Sequence, residues 1–330
     1  MRYLVTGASG LVGNNVVRQL LDAGDHVRVL VRKSSDPRAL AGLNIDQVIG
    51  DVCDAGSVMV ACKGVDRVIH AAGHVHLGWS ELETHRQINV EGTRNVAVAA
   101  RKVGLRMVHI SGINALGLGR LNDPADEDSG LPGIIEIPYV ITKREAEQVV
   151  LAEVERGLDA VITIPGCMFG PWDWKPSSGK MVLEVAKFAP AYPLGAVTFC
   201  DVRDVATGIL AAARWGRRGR RYILGGHNLS YREAWGKMAN LAGKPRPIVP
   251  MGPIIRTVAA PVLDLYTQIV GHESEVNSAV LKLGRQQHCF SSRRAQAELG
   301  YKVRPFDETL TDTWNWFCQH GYVKFGAAAA

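Results

Sequence analysis

The chain has 330 residues, 47% of them hydrophobic and 21% charged, with a formal net charge of +6. This composition is typical of a globular protein with a sizeable core, and it excludes a disordered or fibrous chain. The 6 cysteines form no CxxC pair and no signal-like segment precedes the first predicted strand, so we expect a reduced, cytoplasmic protein without disulfides.

The first predicted element is a short apolar strand over residues 1–6, which runs into a glycine turn and then a helical pattern that reaches Leu21. Glycines in such a turn let backbone amides approach a pyrophosphate, and the helix that follows adds the positive end of its dipole. Because the glycines follow a strand and open a helix, the pattern predicts a nucleotide site rather than a plain tight turn. Its predicted contacts are Gly7, Ser9, Gly10, Leu11, Val12 and Gly13.

The second predicted strand, residues 26–31, ends in Arg32 and Lys33, and the first carboxylate after it is Asp36. In nucleotide-binding sheets an acidic residue at this point binds the adenosine ribose, whereas a basic one accommodates a 2′-phosphate. A guanidinium pairs with a phosphate through two hydrogen bonds, so we expect NADP to be preferred over NAD. The alternative is that Arg32 only caps a surface strand.

Further short β-branched strands alternate with helical patterns, which predicts an α/β fold with a doubly wound parallel sheet. The strands are predicted at 46–49, 67–71, 106–111 and 159–164, and the longest helices at 82–103 and 139–155. Positions just after the third and fourth strands are placed beside the cofactor, namely Asp51, Val52, Ala71, Ala72 and Gly73.

The regular alternation ends after Pro165, where the sequence becomes rich in glycine and proline. Two late strands, at 197–200 and 222–224, are expected to return to the sheet. We therefore expect two lobes that are interleaved in sequence. The dinucleotide-binding domain comprises 1–165 plus 196–224, and a mostly helical substrate lobe comprises 166–195 plus 225–330.

Tyr139 and Lys143 lie four residues apart at the start of a predicted helix, and therefore on one helical face. An ammonium beside a phenol stabilises the phenolate and lowers the pKa of the phenol, which makes it a usable proton donor and acceptor. With the nucleotide turn upstream, this spacing predicts the catalytic pair.

These motifs together resemble the extended short-chain dehydrogenase/reductases over nearly the whole chain. The resemblance rests on Gly7-xx-Gly10-xx-Gly13, Gly50-Asp51, His70-Ala71-Ala72, Asn89-Val90-Glu91-Gly92-Thr93, Tyr139-xxx-Lys143 and Gly170-Pro171. Within that superfamily the chain is similar to the dihydroflavonol-4-reductase-like proteins, which include the hopanoid-associated sugar epimerases. That similarity rests on Val29-Leu30-Val31-Arg32, Leu116-Gly117-Leu118-Gly119, Arg221-Tyr222-Ile223-Leu224-Gly225-Gly226 and Phe290-Ser291-Ser292.

The resemblance implies a Rossmann fold in which Tyr139 exchanges a proton with a substrate oxygen while the nicotinamide exchanges hydride with the same carbon. It implies that Lys143 also binds the nicotinamide ribose and that Pro165 approaches the carboxamide. It further implies a homodimer formed through the helices at 82–103 and 139–155.

The chain departs from the family at the end of the fifth strand, where a hydroxyl pair is usual and this sequence has Ser111 followed by Gly112. Three explanations stay open: Ser111 reaches over, Asn114 substitutes as the donor, or Tyr139 works with less help. Losing one such donor costs about 2.7–4 kcal/mol of barrier in other enzymes.

The substrate side is expected to be aromatic and mixed in character. His74, His76 and Trp79 are predicted to line the cleft, and Trp172 and Trp174 to form a second wall; the alternative is a loop packed by aromatics. A metal site at His70 and its neighbouring histidines is not expected, because no companion carboxylate or cysteine is apparent.

Two segments bear on other partners. The arginine-rich run at 217–221 lacks interleaved aromatics and is interpreted as a solvated turn, so no nucleic-acid partner is expected. The apolar stretch 252–271 is interrupted by Arg256, Pro261 and Asp264, so it is not expected to span a membrane, although a peripheral membrane contact stays open.

Three functions remain in competition. The first is an NADP-dependent oxidoreductase that acts on a ketone or secondary alcohol of a lipidic or ring-containing small molecule. The second is a sugar epimerase or dehydratase that reoxidises its cofactor within one turnover. The third, suggested by Gly112, is a non-catalytic sensor of the cofactor.

Overall fold

The computed structural model describes residues 1–130, 133, 135–252, 273 and 277–323. The strands are β1 (Arg2–Thr6), β2 (His26–Val31), β3 (Asp46–Ile49), β4 (Arg67–His70), β5 (Arg106–Ile110), β6 (Asp159–Pro165), β7 (Cys167–Phe169), β8 (Ala191–Tyr192), β9 (Ala196–Asp201), β10 (Arg221–Leu224), β11 (His227–Ser230), β12 (Val249–Pro250) and β13 (Gln287–His288). The α-helices are α1 (Leu11–Asp22), α2 (Ala55–Cys62), α3 (Leu82–His85), α4 (Gly92–Val103), α5 (Pro138–Glu155), α6 (Gly179–Phe188), α7 (Val202–Trp215), α8 (Tyr231–Leu241), α9 (Ser278–Leu283), α10 (Arg293–Leu299) and α11 (Phe306–Gln319).

The main sheet has seven strands in the order β10-β6-β5-β4-β1-β2-β3, and all neighbouring pairs are parallel. The chain builds outwards from β1 in one direction and from β4 in the other, which confirms the predicted doubly wound α/β fold. Helices α1 and α7 pack together on one face, and α2, α4 and α5 pack on the other. The carboxyl ends of β1 and β4 meet at the point where the order reverses, which is where this fold binds ligands.

One late strand is not where the sequence predicted it. The prediction for 222–224 is confirmed, because β10 extends the main sheet beside β6. The prediction for 197–200 is wrong, because β9 pairs with β7, β11 and β13 in a separate sheet. All six residues of β9 are buried, and β10 already occupies the edge of β6, so a continuous apolar run could not indicate which sheet it joins.

The helix predicted over 82–103 is interrupted. Its first turn, α3, passes into a π-helical turn at Arg86–Glu91, and α4 continues from there. A π-helical turn holds one residue more than the α-helix it interrupts, and such turns are frequent at functional sites.

Among the residues that the structure describes, no helix is both long and apolar enough to cross a bilayer. The stretch 253–272, on which the question of a peripheral membrane contact turned, lies outside the described residues.

Candidate functional site

The glycine turn after β1 is closed too tightly for side chains at two of its glycines. Gly7 has a φ of +69°, and a Cβ there would lie 2.5 Å from the backbone nitrogen of Ala72, while a Cβ on Gly13 would overlap the carbonyl oxygen of Gly7. Gly10, by contrast, precedes α1 in an extended conformation and no side chain caps the first amides of that helix. The turn fits a pyrophosphate, because it offers open backbone donors at a positive helix end. Ser9, Leu11 and Val12 are half-buried around it.

Two exposed cationic side chains, Arg32 and Lys33, follow β2. The backbone N–H of Arg32 donates to Ser35 Oγ at 3.2 Å, and its guanidinium forms no ion pair with any residue in the described part of the chain. The nearby carboxylate of Asp36 is taken by Arg38, with Nη2 and Oδ2 2.6 Å apart. Free positive charge is therefore available at the end of β2, where an adenosine 2′-phosphate would lie.

Residues after β3 and β4 line the same edge of the sheet. Asp51 Oδ1 accepts the N–H of Cys53 at 2.9 Å, and Val52 is buried against Gly92. Ala72 donates its N–H to Thr6 Oγ1 at 3.2 Å. The remaining predicted contacts here are Ala71, half-buried after β4, and Pro165, which ends β6 in register with Leu224.

Tyr139 and Lys143 lie on the first two turns of α5, which begins at Pro138. Lys143 is buried and its Nζ donates to the carbonyl of Ile110 at 3.0 Å; a Cβ on Gly73 would lie 3.6 Å from this nitrogen. Burial lowers the pKa of Lys143 to about 8, against the opposing field of Glu147. Burial also raises the pKa of Tyr139 to about 12. In the protein alone the pKa of the phenol is therefore raised rather than lowered toward neutrality, because burial disfavours the phenolate. The lowering of this pKa by Lys143 stays a prediction.

Ser111 does not turn toward the phenol. Its hydroxyl donates to the carboxylate of Glu147, which is itself buried and paired with Arg221 at 3.0 Å. Burial raises the pKa of Glu147, and the guanidinium of Arg221 opposes that shift. The sequence offered no signal for this contact, because it joins residues 36 positions apart.

Gly112, the position at which the family usually has a second hydroxyl, lies next to the hydroxyl of Tyr139. Gly112 has an extended backbone, and a Cβ at this position would lie 3.3 Å from Tyr139 Oη. Asn114, on a short 3-10 turn over Ile113–Ala115, is half-buried and its side chain makes no hydrogen bond to a described residue. The side of the phenol that faces Gly112 is thus without a donor from β5.

The histidine-rich loop after β4 is connected to Tyr139 by His85, a residue that the sequence analysis did not single out. His74 Nε2 lies 2.6 Å from Glu81 Oε2, and the rings of His74 and His85 have centroids 4.6 Å apart. The rings of His85 and Tyr139 are edge-to-face, with centroids 6.2 Å apart. The four-residue spacing of Glu81 and His85, at the start of a predicted helix, was the signal that could have found them.

Two other predicted cleft residues anchor the same loop. His76 Nε2 lies 3.2 Å from Glu273 Oε2, and Trp79 Nε1 donates to Ser278 Oγ at 2.8 Å. His70 lies apart from this loop and is fully enclosed, with Nδ1 2.8 Å from Thr6 Oγ1.

Of the three histidines considered from the sequence, His74 does have a companion carboxylate in the described part of the chain, that of Glu81, together with a further histidine, His85. His74, Glu81 and His85 bring ligand atoms within 4.8 Å of one another. Burial lowers the pKa of His85 to about 4, and the hydrogen bond with His74 holds the pKa of Glu81 below its usual value. A neutral imidazole and an ionised carboxylate are the protonation states that a cation site requires.

Trp172 and Trp174, which were predicted to form a second wall of the substrate cleft, pack against other parts of the molecule. The guanidinium carbon of Arg18 lies 3.3 Å from the ring centre of Trp172, and Trp174 packs edge-to-face on Trp316 and His320. Among the described residues, neither ring packs against Tyr139, His74 or His85. Aromatic packing between α1 and α11 accounts for both.

Comparisons with known proteins identify the family of the chain. A model of the NAD dependent epimerase/dehydratase family matches residues 3–225. The chain is 36% identical over 330 residues to a putative dihydroflavonol 4-reductase of Synechocystis sp., covering 98% of this chain and 96% of that protein. It is 32% identical over 331 residues to sterol demethylase protein B of Methylococcus capsulatus, covering 98% of this chain and all 100% of that protein.

The fold of the chain is also similar to that of a solved structure. A nucleoside-diphosphate-sugar epimerase from Pseudomonas aeruginosa is similar with a TM-score of 0.80 and 26% identity, over 98% of this chain and 99% of that one. The chain therefore belongs to the NAD dependent epimerase/dehydratase family, as an NAD(P)-dependent oxidoreductase related to the dihydroflavonol 4-reductase-like proteins.

Proposed function

We propose that the protein is an NADP-dependent oxidoreductase that exchanges hydride with a ketone or secondary alcohol of a lipidic or ring-containing small molecule. The observation that carries this proposal is the Tyr139 phenol, which stands beside Lys143 at the sheet edge where the glycine turn opens. The relatives named for a dihydroflavonol and for a sterol support a ring-containing substrate.

Tyr139 is the proton donor in the direction of reduction. Its pKa of about 12 keeps the phenol protonated at neutral pH, so the proton is in place for the substrate oxygen. A bound nicotinamide supplies the hydride. Lys143, with a pKa of about 8, is mostly charged at pH 7, and its field favours the phenolate that the transfer leaves behind. Of the other predicted substrate contacts, His74, His76, Trp79 and Asn114 line the proposed cleft.

The experiment measures the loss of NADPH absorbance at 340 nm with two ketones, a dihydroflavonol and a 3-ketosteroid. We expect turnover with at least one of them, and a fall in kcat of roughly 10²- to 10⁴-fold in Tyr139→Phe, which removes only the proton donor. Tyr192→Phe, on β8, is the matched control and should retain activity. Unchanged turnover in Tyr139→Phe would show that Tyr139 is not the proton donor.

A sugar epimerase or dehydratase is the second candidate, favoured by the structural likeness to the nucleotide-sugar epimerase. It predicts product formation from a nucleotide sugar without net loss of NADPH. If NADPH binds but neither a ketone nor a nucleotide sugar is turned over, the non-catalytic sensor is favoured.

We also propose a homodimer that pairs through α4 and α5, and a cytoplasmic location, both by analogy with the family. Sedimentation equilibrium should give about twice the 35.8 kDa mass of the chain. A monomer at micromolar concentration would contradict the dimer.

A further inference from the structure

A small apolar ribbon projects from the surface where β8 pairs with β12. It comprises residues 190–194 and 248–251, which we call the β8–β12 ribbon. Ile248 is 77% exposed and Val249 is 42% exposed. Neighbouring residues of a strand point to opposite sides, so the exposure of both shows that the ribbon stands out from the body of the protein.

The backbone of this ribbon can enter an apolar environment without leaving N–H groups unpaired. The N–H groups of Ile248 and Val249 both donate to the carbonyl of Pro190, at 3.1 and 3.0 Å, and that of Met251 donates to the carbonyl of Tyr192 at 2.9 Å. The intervening residue is a proline, which has no N–H. Unpaired backbone donors oppose transfer into lipid, and this segment has none to pair.

The chain that carries the ribbon is basic. Residues 242–252 contain Lys244 and Arg246 and no acidic residue. Both side chains are exposed, and neither forms an ion pair with a residue that the structure describes. On the β8 side, Lys187 pairs with Glu184, with Nζ and Oε1 2.8 Å apart. The charge next to Ile248 and Val249 is therefore positive and available to a partner.

Two neighbouring elements add cations beside β8. The guanidinium carbon of Arg232 lies 5.8 Å from the ring centre of Tyr192, and a Cβ on Gly195 would lie 2.9 Å from the carbonyl carbon of Arg285. Both arginines are exposed. Glu233, the acid next to Arg232, lies in the first turn of α8, where the helix dipole offsets its charge. The surface around the ribbon is thus basic as well.

This combination fits a bilayer surface better than a protein surface. Protein interfaces are centred on aromatic anchors and are depleted in lysine, whereas here aliphatic side chains project among lysine and arginine. Aliphatic side chains that reach the acyl boundary, with cations at the level of anionic headgroups, are typical of proteins that lie on a membrane.

The ribbon is connected to the candidate site through the end of α9. Leu283 belongs to the hydrophobic cluster on which Tyr139 packs. A Cβ on Gly284, the next residue, would lie 3.0 Å from the Cβ of Pro193 in the ribbon. A surface on which the ribbon rests is therefore brought close to the cluster that contains the phenol.

We propose that the β8–β12 ribbon docks the protein on a bilayer that contains anionic lipid. Ile248 and Val249 insert between the headgroups, and Lys244 and Arg246 contact the headgroup phosphates. The docking depends on the ribbon and its cations, and it does not depend on which reaction the site performs.

The experiment is flotation of the full chain with vesicles of phosphatidylcholine, alone or with about one third phosphatidylglycerol, at about 50 mM and about 500 mM salt. We expect binding to the anionic vesicles at the lower salt concentration. Binding should be at least about tenfold weaker at the higher concentration and on phosphatidylcholine alone, because each cation near an anionic surface contributes about fivefold.

The apolar contact is tested with the double variant Ile248→Ser, Val249→Ser. We expect its partition onto the anionic vesicles to fall at least about tenfold, because two aliphatic side chains no longer leave water. The matched control is Val60→Ser, Trp215→Ser, which removes exposed apolar surface from α2 and α7 and should bind like the parent. Circular dichroism should show the same thermal unfolding midpoint for the ribbon variant and the parent.

The charge contact is tested with the double variant Lys244→Glu, Arg246→Glu. We expect at least about 25-fold weaker binding at the lower salt concentration and a smaller loss at the higher one. Lys63→Glu, Lys302→Glu changes the net charge equally at two other exposed positions, and its binding should stay within about threefold of the parent.

Four results would each overturn the proposal. They are no binding of the parent to anionic vesicles, unchanged binding of either ribbon variant, equal losses in a ribbon variant and its control, and a lower sedimentation mass of Ile248→Ser, Val249→Ser. The last would make the ribbon an interface between two copies of the chain. None of them bears on ketone reduction, which is measured in solution by the loss of NADPH.

Discussion

At the residue scale, the proposed preference for NADP over NAD depends on Arg32. Its guanidinium is exposed and unpaired with any described residue, while the nearest acidic side chain, Asp36, is held by Arg38. We expect Arg32→Asp to weaken NADPH binding by about 10- to 100-fold, the loss of a charge-assisted pair of about 1.5–3 kcal/mol, with little effect on NADH. Titration of each cofactor, followed by protein fluorescence, measures the affinities for NADPH and for NADH.

Arg293→Asp, at an exposed position of α10, changes the charge equally and is the control. It should leave the ratio of NADPH to NADH affinities unchanged. An equal loss of both cofactors in Arg32→Asp would remove the argument for a 2′-phosphate contact.

At this scale the sequence predicts those features that depend on local spacing. The glycine turn and the Tyr139–Lys143 pair can be read from a few adjacent residues, and the structure places them at one sheet edge. The partners of Ser111 and His85 could not be read in this way, because they are set by packing between distant segments. Nor could the raised pKa of Tyr139, which depends on how completely the fold removes water.

At the element scale, β9 is enclosed by glycines that bring other segments onto it. A Cβ on Gly226 would overlap the carbonyl of Phe199, at the start of the antiparallel pairing with β11. We expect Gly226→Ala to lower the free energy of unfolding by about 1–3 kcal/mol, because backbone must move to admit the methyl group. Urea unfolding followed by circular dichroism measures the change.

Gly236→Ala, within α8, is the matched control. Its new Cβ would meet nothing closer than 3.7 Å, and alanine favours the helix by about 1 kcal/mol, so this variant should be as stable as the parent or more so. Similar effects of the two replacements would show that the close approach at β9 is not tight.

The strands of the main sheet were predicted almost residue for residue, because each is a short β-branched run between turns. The sheet that β9 joins was not predicted, because it depends on which strand already pairs with the free edge of β6, and that strand is β10. The interleaved division into lobes, 1–165 plus 196–224 and 166–195 plus 225–330, stays a prediction.

At the scale of the whole molecule, buried neutral histidines make the stability of the fold depend on pH in the acid range. Burial lowers the pKa of His288 to about 4 and, together with the nearby ammonium of Lys143, that of His70 to about 3. Between about pH 6.5 and pH 4 the unfolded chain binds protons that the folded protein does not, so stability falls as the pH falls. For His288 the loss at pH 5 is on the order of 2 kcal/mol.

His288→Asn should therefore flatten the decline in unfolding free energy between pH 7 and pH 5, measured by urea titration at each pH. His26→Asn, at an exposed position of β2, should leave the decline unchanged. A decline of the same size in His288→Asn as in the unaltered protein would mean that this histidine is protonated in the folded state.

The π-helical turn at Arg86–Glu91 sets how the residues before it, including His85, are rotated relative to the residues after it. Each residue of an α-helix advances about 100° around the axis. Deleting one residue from this turn would restore an ordinary helix and rotate His85 by that angle relative to Asn89. Every other side chain would be retained and the sheet left intact, yet the imidazole would no longer lie beside the phenol. The position of His85 thus depends on the length of this segment as well as on its composition.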